Sequence, residues 1–216
     1  MIIKKVIILG AGGHANVVLE GINHLQYKVE GFLDKDIARQ GEIISGVPIL
    51  GNDSDPEKWL SMGITCCIVG IGHVGHPEIR NKLYDRYASA GFEMINAIHP
   101  TAYISPGACI GSGNAIMPGT IINTGTVIGN NCIINTGSII EHDVKILNGV
   151  HIAPRCVVAG GSYIGENTFI GAGATIINGI RIECNSTVGA GSVVISNLPA
   201  NSLSVGIPAK VIKEVQ

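Results

Sequence analysis

Along the second half of the chain, aliphatic residues fall at every sixth position. Ile98, Ile104, Ile110, Ile116, Ile122, Ile128, Ile134, Ile140, Ile146, Ile152, Val158, Ile164, Ile170, Ile176, Ile182, Val188 and Val194 follow one another without an insertion. Two residues before each aliphatic lies a mostly small side chain, as at Ala102, Ala108, Thr120, Thr126, Cys132, Ser138, Cys156, Ser162, Thr168 and Ala174. Side chains alternate across a strand, so these two positions share the inward face and the residue between them points outward. Three residues after each aliphatic the chain is nearly always Gly or Asn, from Gly107 through Asn131 and Asn167 to Gly191. Those residue types take left-handed backbone angles at the least cost. Each hexad therefore predicts one short strand and one corner, and repeated corners wind the chain into a solenoid.

The first 97 residues follow a different pattern. An apolar run over residues 3–9 meets the turn Gly10-Ala11-Gly12-Gly13-His14-Ala15, and Val17, Val18, Gly21, Ile22 and Leu25 then recur at helical spacing. A strand from Val29 to Leu33 ends at Asp34, and another apolar run covers Thr65 to Ile71. A helix is expected from Pro77 to Ala90 and a last strand within Phe92 to Ala97. This β-α-β alternation predicts a parallel sheet of about four or five strands, half of a dinucleotide-binding fold. The chain thus divides into an α/β, half-Rossmann-like domain over residues 1–97 and an all-β solenoid over residues 98–216.

Composition narrows the function classes. Aromatics make up 4% of the 216 residues and charged residues 14%, with 30 glycines, which suits stacked short strands with tight corners. A net charge of −2 gives no electrostatic case for nucleic acid. No apolar stretch reaches the ~18 residues needed to span a bilayer, and the apolar start lacks a signal-peptide cleavage pattern. The six cysteines contain no C-x-x-C and sit at unrelated places in the repeat. Reduced, mostly buried thiols in a cytoplasmic protein are expected.

The exceptions to the repeat carry the chemistry. At the corner position only Thr101, Asp143 and Arg155 replace Gly or Asn. Asp143 belongs to Glu141-His142-Asp143, where other coils read like Asn135-Thr136-Gly137. A histidine beside carboxylates suits proton abstraction, because the carboxylate fixes its tautomer and raises its basicity. His151 occupies an outward strand position between inward Val150 and Ile152, so it does not point into the solenoid. His142 and His151 are nine residues apart, half of an eighteen-residue coil, and should lie on opposite sides of one solenoid. Nothing supplies a third metal ligand at sensible spacing, so no metal is expected.

Residues 98–195 resemble the left-handed parallel β-helix of hexapeptide-repeat acyltransferases, with three hexads per coil, and Val205-Gly206-Ile207-Pro208-Ala209-Lys210 resembles that family's terminal G-x-P-A-K segment. With Glu141-His142-Asp143, His151 and the glycine-rich start, both domains resemble the sugar O- and N-acetyltransferases of bacterial glycan biosynthesis. That group includes sialic acid O-acetyltransferases, perosamine N-acetyltransferases and bacillosamine-pathway N-acetyltransferases. The resemblance implies that His142 is the general base and that Asp143 increases its basicity. It places His151 near the acetyl-CoA thioester and the Gly160 amide on the acetyl carbonyl, with Ala172, Ala190 and Lys210 in the same acetyl-CoA set. It also implies homotrimers with active sites between subunits.

Gly10-x-Gly12-x-x-Ala15, between a strand and a helix, reads as a phosphate-cradling turn, and Asp34 as an acidic residue near a ribose. A tight turn that needs glycine only for packing is the competing reading. By resemblance, Gly12, Gly13, His14, Asp34, Lys35 and Gly72 contact a nucleotide-linked sugar. His73 and His76 read as loop residues, and His24 and His99 as structural ones. The leading expectation is acetyl transfer from acetyl-CoA to the amine of a nucleotide-activated amino sugar. O-acetylation of a sialic acid, a non-catalytic nucleotide-sugar-binding solenoid and a short-chain dehydrogenase are the alternatives.

Overall fold

A computed structural model describes residues 3–214. Near the N-terminus, strands β1 (Lys4–Leu9), β2 (Tyr27–Leu33), β3 (Ile43–Ile44), β4 (Val47–Gly51), β5 (Cys66–Val69) and β6 (Glu93–Met94) form one sheet in the order β3-β4-β2-β1-β5-β6. All pairs are parallel except the short β3–β4 hairpin. That hairpin, hidden in a Gly-, Pro- and Ile-containing segment, raises the strand count above the four or five expected from sequence. Helices α1 (Gly13–Glu20), α2 (Pro56–Ser61) and α3 (Glu78–Ser89) connect the strands. Strand order reverses at β1, and the crevice beyond the carboxyl ends of the strands at such a reversal is where α/β sheets bind ligands.

From Ala97–Ile98 to Val193–Val194 the chain forms two-residue strands, each paired in parallel with one eighteen residues away. They stack into three sheets. The first face carries Ala115–Ile116, Ile133–Ile134, His151–Ile152 and Phe169–Ile170; the second Ile121–Ile122, Ile139–Ile140 and Val157–Val158; the third Val127–Ile128, Lys145–Ile146 and Tyr163–Ile164. The six-residue aliphatics from Ile116 to Val194 form one continuous buried column, each side chain contributing about 1.5–3 kcal/mol relative to exposure. The small polar residues between them serve the corners. Thr126, Ser138, Ser162 and Thr168 donate their hydroxyls to the carbonyls of Glu141, Ala153, Ile177 and Glu183, fifteen residues ahead, at 2.8, 2.9, 3.1 and 3.0 Å. Otherwise buried corner carbonyls are thereby satisfied.

The corner residues take the left-handed angles expected of them, from Gly113 at φ +69° to Gly191 at φ +67°. Asp143 and Arg155 do so too, at φ +58° and +59°. Thr101, Gly107 and Asn197 do not. Ser202–Gly206 and Ala209–Glu214 close the solenoid as an antiparallel hairpin. Cys66, Cys67, Cys132 and Cys156 are buried, Cys109 and Cys184 exposed, and all six thiols are unpaired.

The N-terminal sheet docks on the first face. Ala15, Val18 and Leu19 of α1 share a core with Ala115, Met117 and Ile133. Arg80 of α3 is fully buried and joins the two units through four carbonyls. It donates to Val69 and Ile71 at 2.8 and 2.9 Å, and to Asn131 and Gly113 of the solenoid at 3.1 and 3.4 Å. Next to it, Asn81 bonds Asn131 and Asn167 on the same corner at 2.9 and 2.8 Å.

Candidate active site

His142 lies at the corner between the second and third faces, between Ile139–Ile140 and Lys145–Ile146. Its side chain is exposed, and its Nδ1 lies 2.9 Å from Asp143 Oδ2. A carboxylate only accepts, so Nδ1 carries the proton and Nε2 keeps its lone pair. The hydrogen bond to Asp143 raises the imidazole above its ordinary pKa, helped by the charges of Asp143 and Glu141. Asp143 can take this position because its carboxylate lies against Gly125, one coil away, where any side chain would collide with it.

Gly160 sits eighteen residues after His142, on the same corner of the next coil. A Cβ there would lie 2.7 Å from both Cε1 and Nε2 of the imidazole, so the ring packs directly over a backbone that must be bare. Among the described residues, the Gly160 N–H has no backbone or side-chain acceptor, whereas the flanking Ala159 and Gly161 N–H groups bond Ile176 and His142. An unspent N–H beside a proton acceptor is the pairing that acyl transfer uses, one for the developing oxyanion and the other for the nucleophile's proton.

The second set of candidates lies in the N-terminal domain. Gly10 is a packing glycine, with φ +98° and Ile71 Cγ1 at 2.5 Å from a Cβ. Gly12 and Gly13 are not, since a Cβ at either position would meet nothing within 4 Å. Bare backbone facing open space at the start of α1 leaves room for a ligand against the helix N–H groups. This counts against a turn whose glycines serve packing alone. Gly12, Gly13, His14, Asp34, Lys35 and Gly72 all line one cavity of about 700 Å³, together with Asp53, Ile79, Lys82, Leu83 and Arg86. Asp34 is already engaged: one oxygen accepts from Ala11 N–H at 3.1 Å and Arg39 at 3.2 Å, the other from Asp36 N–H at 3.0 Å. It braces the glycine turn as well as bordering the cavity.

His151 points away from the solenoid core, as alternation requires, yet it is only 7% exposed because the N-terminal domain covers it. Its Nδ1–H donates to the His73 carbonyl at 2.7 Å, and its Nε2 lies 3.2 Å from the Asn135 amide. His73 lies in a loop, as expected, but is buried between His151 and Phe169, and among the described residues neither ring nitrogen has a hydrogen-bond partner. Burial lowers the pKa of His14 and His73 to about 3 and of His151 to about 4. Arg80, with no carboxylate bonded to it, is lowered to about 10 and stays charged at neutral pH.

Against solved structures, the chain is 37% identical to perosamine N-acetyltransferase from Caulobacter crescentus, crystallised as a histidine mutant in complex with CoA and GDP-perosamine. The match covers 99% of both chains with a TM-score of 0.91. It is 30% identical to the acetyltransferase domain of PglB from Neisseria gonorrhoeae in complex with acetyl coenzyme A, covering 97% of this chain and 100% of that one at a TM-score of 0.85. The chain belongs to the hexapeptide-repeat sugar acetyltransferases. Sequence profiles agree: the PglD N-terminal domain matches residues 5–87, the bacterial transferase hexapeptide residues 125–160, and the hexapeptide repeat of succinyl-transferase residues 163–196. A putative acetyltransferase of Saccharomyces cerevisiae is 48% identical over 52 residues, and the chain covers only 26% of that relative's length.

As in that family, the solenoid is a left-handed parallel β-helix. One chain does not gather every residue that the resemblance assigns to acetyl-CoA. Gly160 shares the His142 corner, whereas Ala172 and Ala190 stack on the corner between the first and second faces, His151 lies on the first face, and Lys210 lies in the terminal hairpin. Sequence reading missed Asp53, Lys82, Arg86 and Arg80, which carry no motif and gain their positions only from tertiary packing. Among the described residues, no cluster of His, Cys, Asp and Glu could hold a metal and no helix is long and apolar enough to cross a membrane.

Proposed function

We propose that this protein transfers the acetyl group of acetyl-CoA to the amine of a nucleotide-linked amino sugar in the assembly of a bacterial surface glycan. The His142–Asp143–Gly160 corner supports the chemistry most directly. The neutral amine of the sugar attacks the thioester carbonyl, and the carbonyl oxygen takes negative charge against the Gly160 N–H. His142 Nε2 removes the proton from the attacking nitrogen. Collapse of the tetrahedral adduct breaks the C–S bond, and the proton held by His142 is available to the departing CoA thiolate. The two solved relatives described above are acetyltransferases whose structures hold CoA and GDP-perosamine, or acetyl-CoA. The name of the Caulobacter protein favours an amine acceptor over the hydroxyl of a sialic acid.

His142 lies across the solenoid from the face on which the nucleotide cavity docks. A second copy packed alongside would bring its own His142, or its own nucleotide domain, to complete the site, in keeping with the homotrimer that the resemblance implies. Acetyl-CoA, a nucleotide-linked acceptor and unpaired thiols together fit a cytoplasmic enzyme.

The test is CoA release, followed with a thiol reagent, using nucleotide sugars that differ only in bearing an amine or a hydroxyl at the acceptor carbon. Release with the amine alone, and a product carrying one acetyl group on nitrogen, is expected. Transfer to the hydroxyl would replace this reading with O-acetylation. Binding of nucleotide sugar without any acetyl transfer would favour a non-catalytic role.

A further inference from the structure

The cavity in the N-terminal domain is lined by a carboxylate to which no other described residue donates. Asp53 follows β4 and is 9% exposed. Its backbone carbonyl is fixed by the Tyr87 hydroxyl at 3.2 Å and by Arg86 at 3.4 Å. Among the described residues, no other residue donates a hydrogen bond to its side chain, which lines the cavity. Burial pushes its carboxyl above the ordinary range, while the charges of Arg86 and Lys35 oppose that shift. A largely buried carboxylate without protein donors is costly, so a ligand that brings donors to the cavity would be favoured there.

Its place in the sheet says which part of a nucleotide it meets. The phosphate-cradling turn follows β1, and Asp53 follows β4, two strands away across β2. Two strand spacings are roughly 10 Å, the reach from the diphosphate of a nucleotide to the outer edge of its base. Resting on the reading of this cavity as a nucleotide site, we infer that Asp53 recognises guanine, its carboxylate accepting from the N1–H and the exocyclic amino group while Arg86 or Lys35 faces the O6 carbonyl. Guanine alone among the common bases presents two adjacent donors beside an acceptor. Uracil and thymine present one donor between two carbonyls, one of which would face the carboxylate. Cytosine and adenine offer only their amino groups.

The test is calorimetric titration of GDP, UDP, CDP and xanthosine diphosphate into the full-length protein and into the near-isosteric Asp53→Asn variant. GDP should bind most tightly to the wild type. The variant should lose about tenfold to a hundredfold in GDP affinity, as expected for one bidentate base contact. It should gain affinity for xanthosine diphosphate, whose C2 carbonyl accepts from the new amide, while UDP is unaffected. That gain could not come from a misfolded variant. Unchanged GDP binding, a preference for another base, or equal weakening of all four (the signature of a ribose contact) would each overturn the guanine assignment and leave the nucleotide site standing. A wild type that binds none of the four would overturn both.

Discussion

Replacing His142 with Asn lowers kcat by roughly 10²–10⁴-fold, the usual contribution of a positioned general base, and leaves acetyl-CoA affinity and thermal unfolding unchanged. The selectivity follows from where the imidazole lies. It is exposed and contributes nothing to the aliphatic column of the solenoid, so its loss removes no core packing. Its one strong partner is Asp143, and its Nε2 lies beside the bare backbone of Gly160. The Gly160 N–H survives the substitution, so a residual rate from oxyanion stabilisation and positioning should remain. Steady-state kinetics with calorimetric binding of acetyl-CoA checks both halves. Turnover at the wild-type level would remove His142 from the chemistry.

Stability should collapse on mild acidification. His14, His73 and His151 lie at the junction of the two domains with Arg80 nearby, and burial holds their pKa values at about 3, 3 and 4 against an ordinary 6.5. They are neutral in the folded protein and protonate once it unfolds. Below pH 6.5 the unfolded state therefore binds more protons, so stability is full above that pH and falls as the pH drops from 6.5 towards 4. Three such groups give a limiting slope of about 4 kcal/mol per pH unit. Over little more than two units that would consume a typical domain stability of about 5–15 kcal/mol, so the junction opens before all three titrate. Urea midpoints at pH 7.5, 6.5 and 5.5 measure the effect. His73→Phe keeps the aromatic packing against His151 and Phe169, removes two unbonded ring nitrogens, and should flatten the slope by about one proton. A midpoint that does not move with pH would show that these imidazoles are not buried neutral.

The sequence discloses the solenoid almost completely because its physics is local and repeated. Each corner needs a left-handed residue, each strand an inward aliphatic, and seventeen hexads average out any single ambiguity. The same regularity exposed Asp143, and with it the His142 corner. Arg155 shows the limit of reading exceptions, since it adopts the same left-handed angle and nothing in the structure explains it. In the N-terminal domain the glycine turn, both long helices and the central strands were legible from spacing. The β3–β4 hairpin was not, because β3 has only two residues and β4 five, with Pro48 and Gly51 interrupting any alternation.

Residues whose environment is made elsewhere in the chain were the hardest to read. Arg80 sits in a polar helix among Glu78, Lys82 and Arg86, and its burial depends on carbonyls of Gly113 and Asn131. His151 was correctly turned outward by alternation, yet that outward face is covered by the His73 loop. Asp53 follows no motif, and only the cavity wall identifies it.

The claim that a corner without its glycine carries the chemistry is tested most directly by the pH profile of kcat/KM for the wild type and Asp143→Asn. Asn accepts the left-handed angle, as at Asn131 and Asn167, so the corner is kept while the charge that raises the His142 pKa is removed. The wild-type rate should fall as pH drops through a pKa above the ordinary histidine value of 6.5, because only the neutral imidazole accepts a proton. In the variant that acidic limb should shift to lower pH, with a reduced plateau. An acidic limb that stays in place when Asp143 loses its charge would contradict the account.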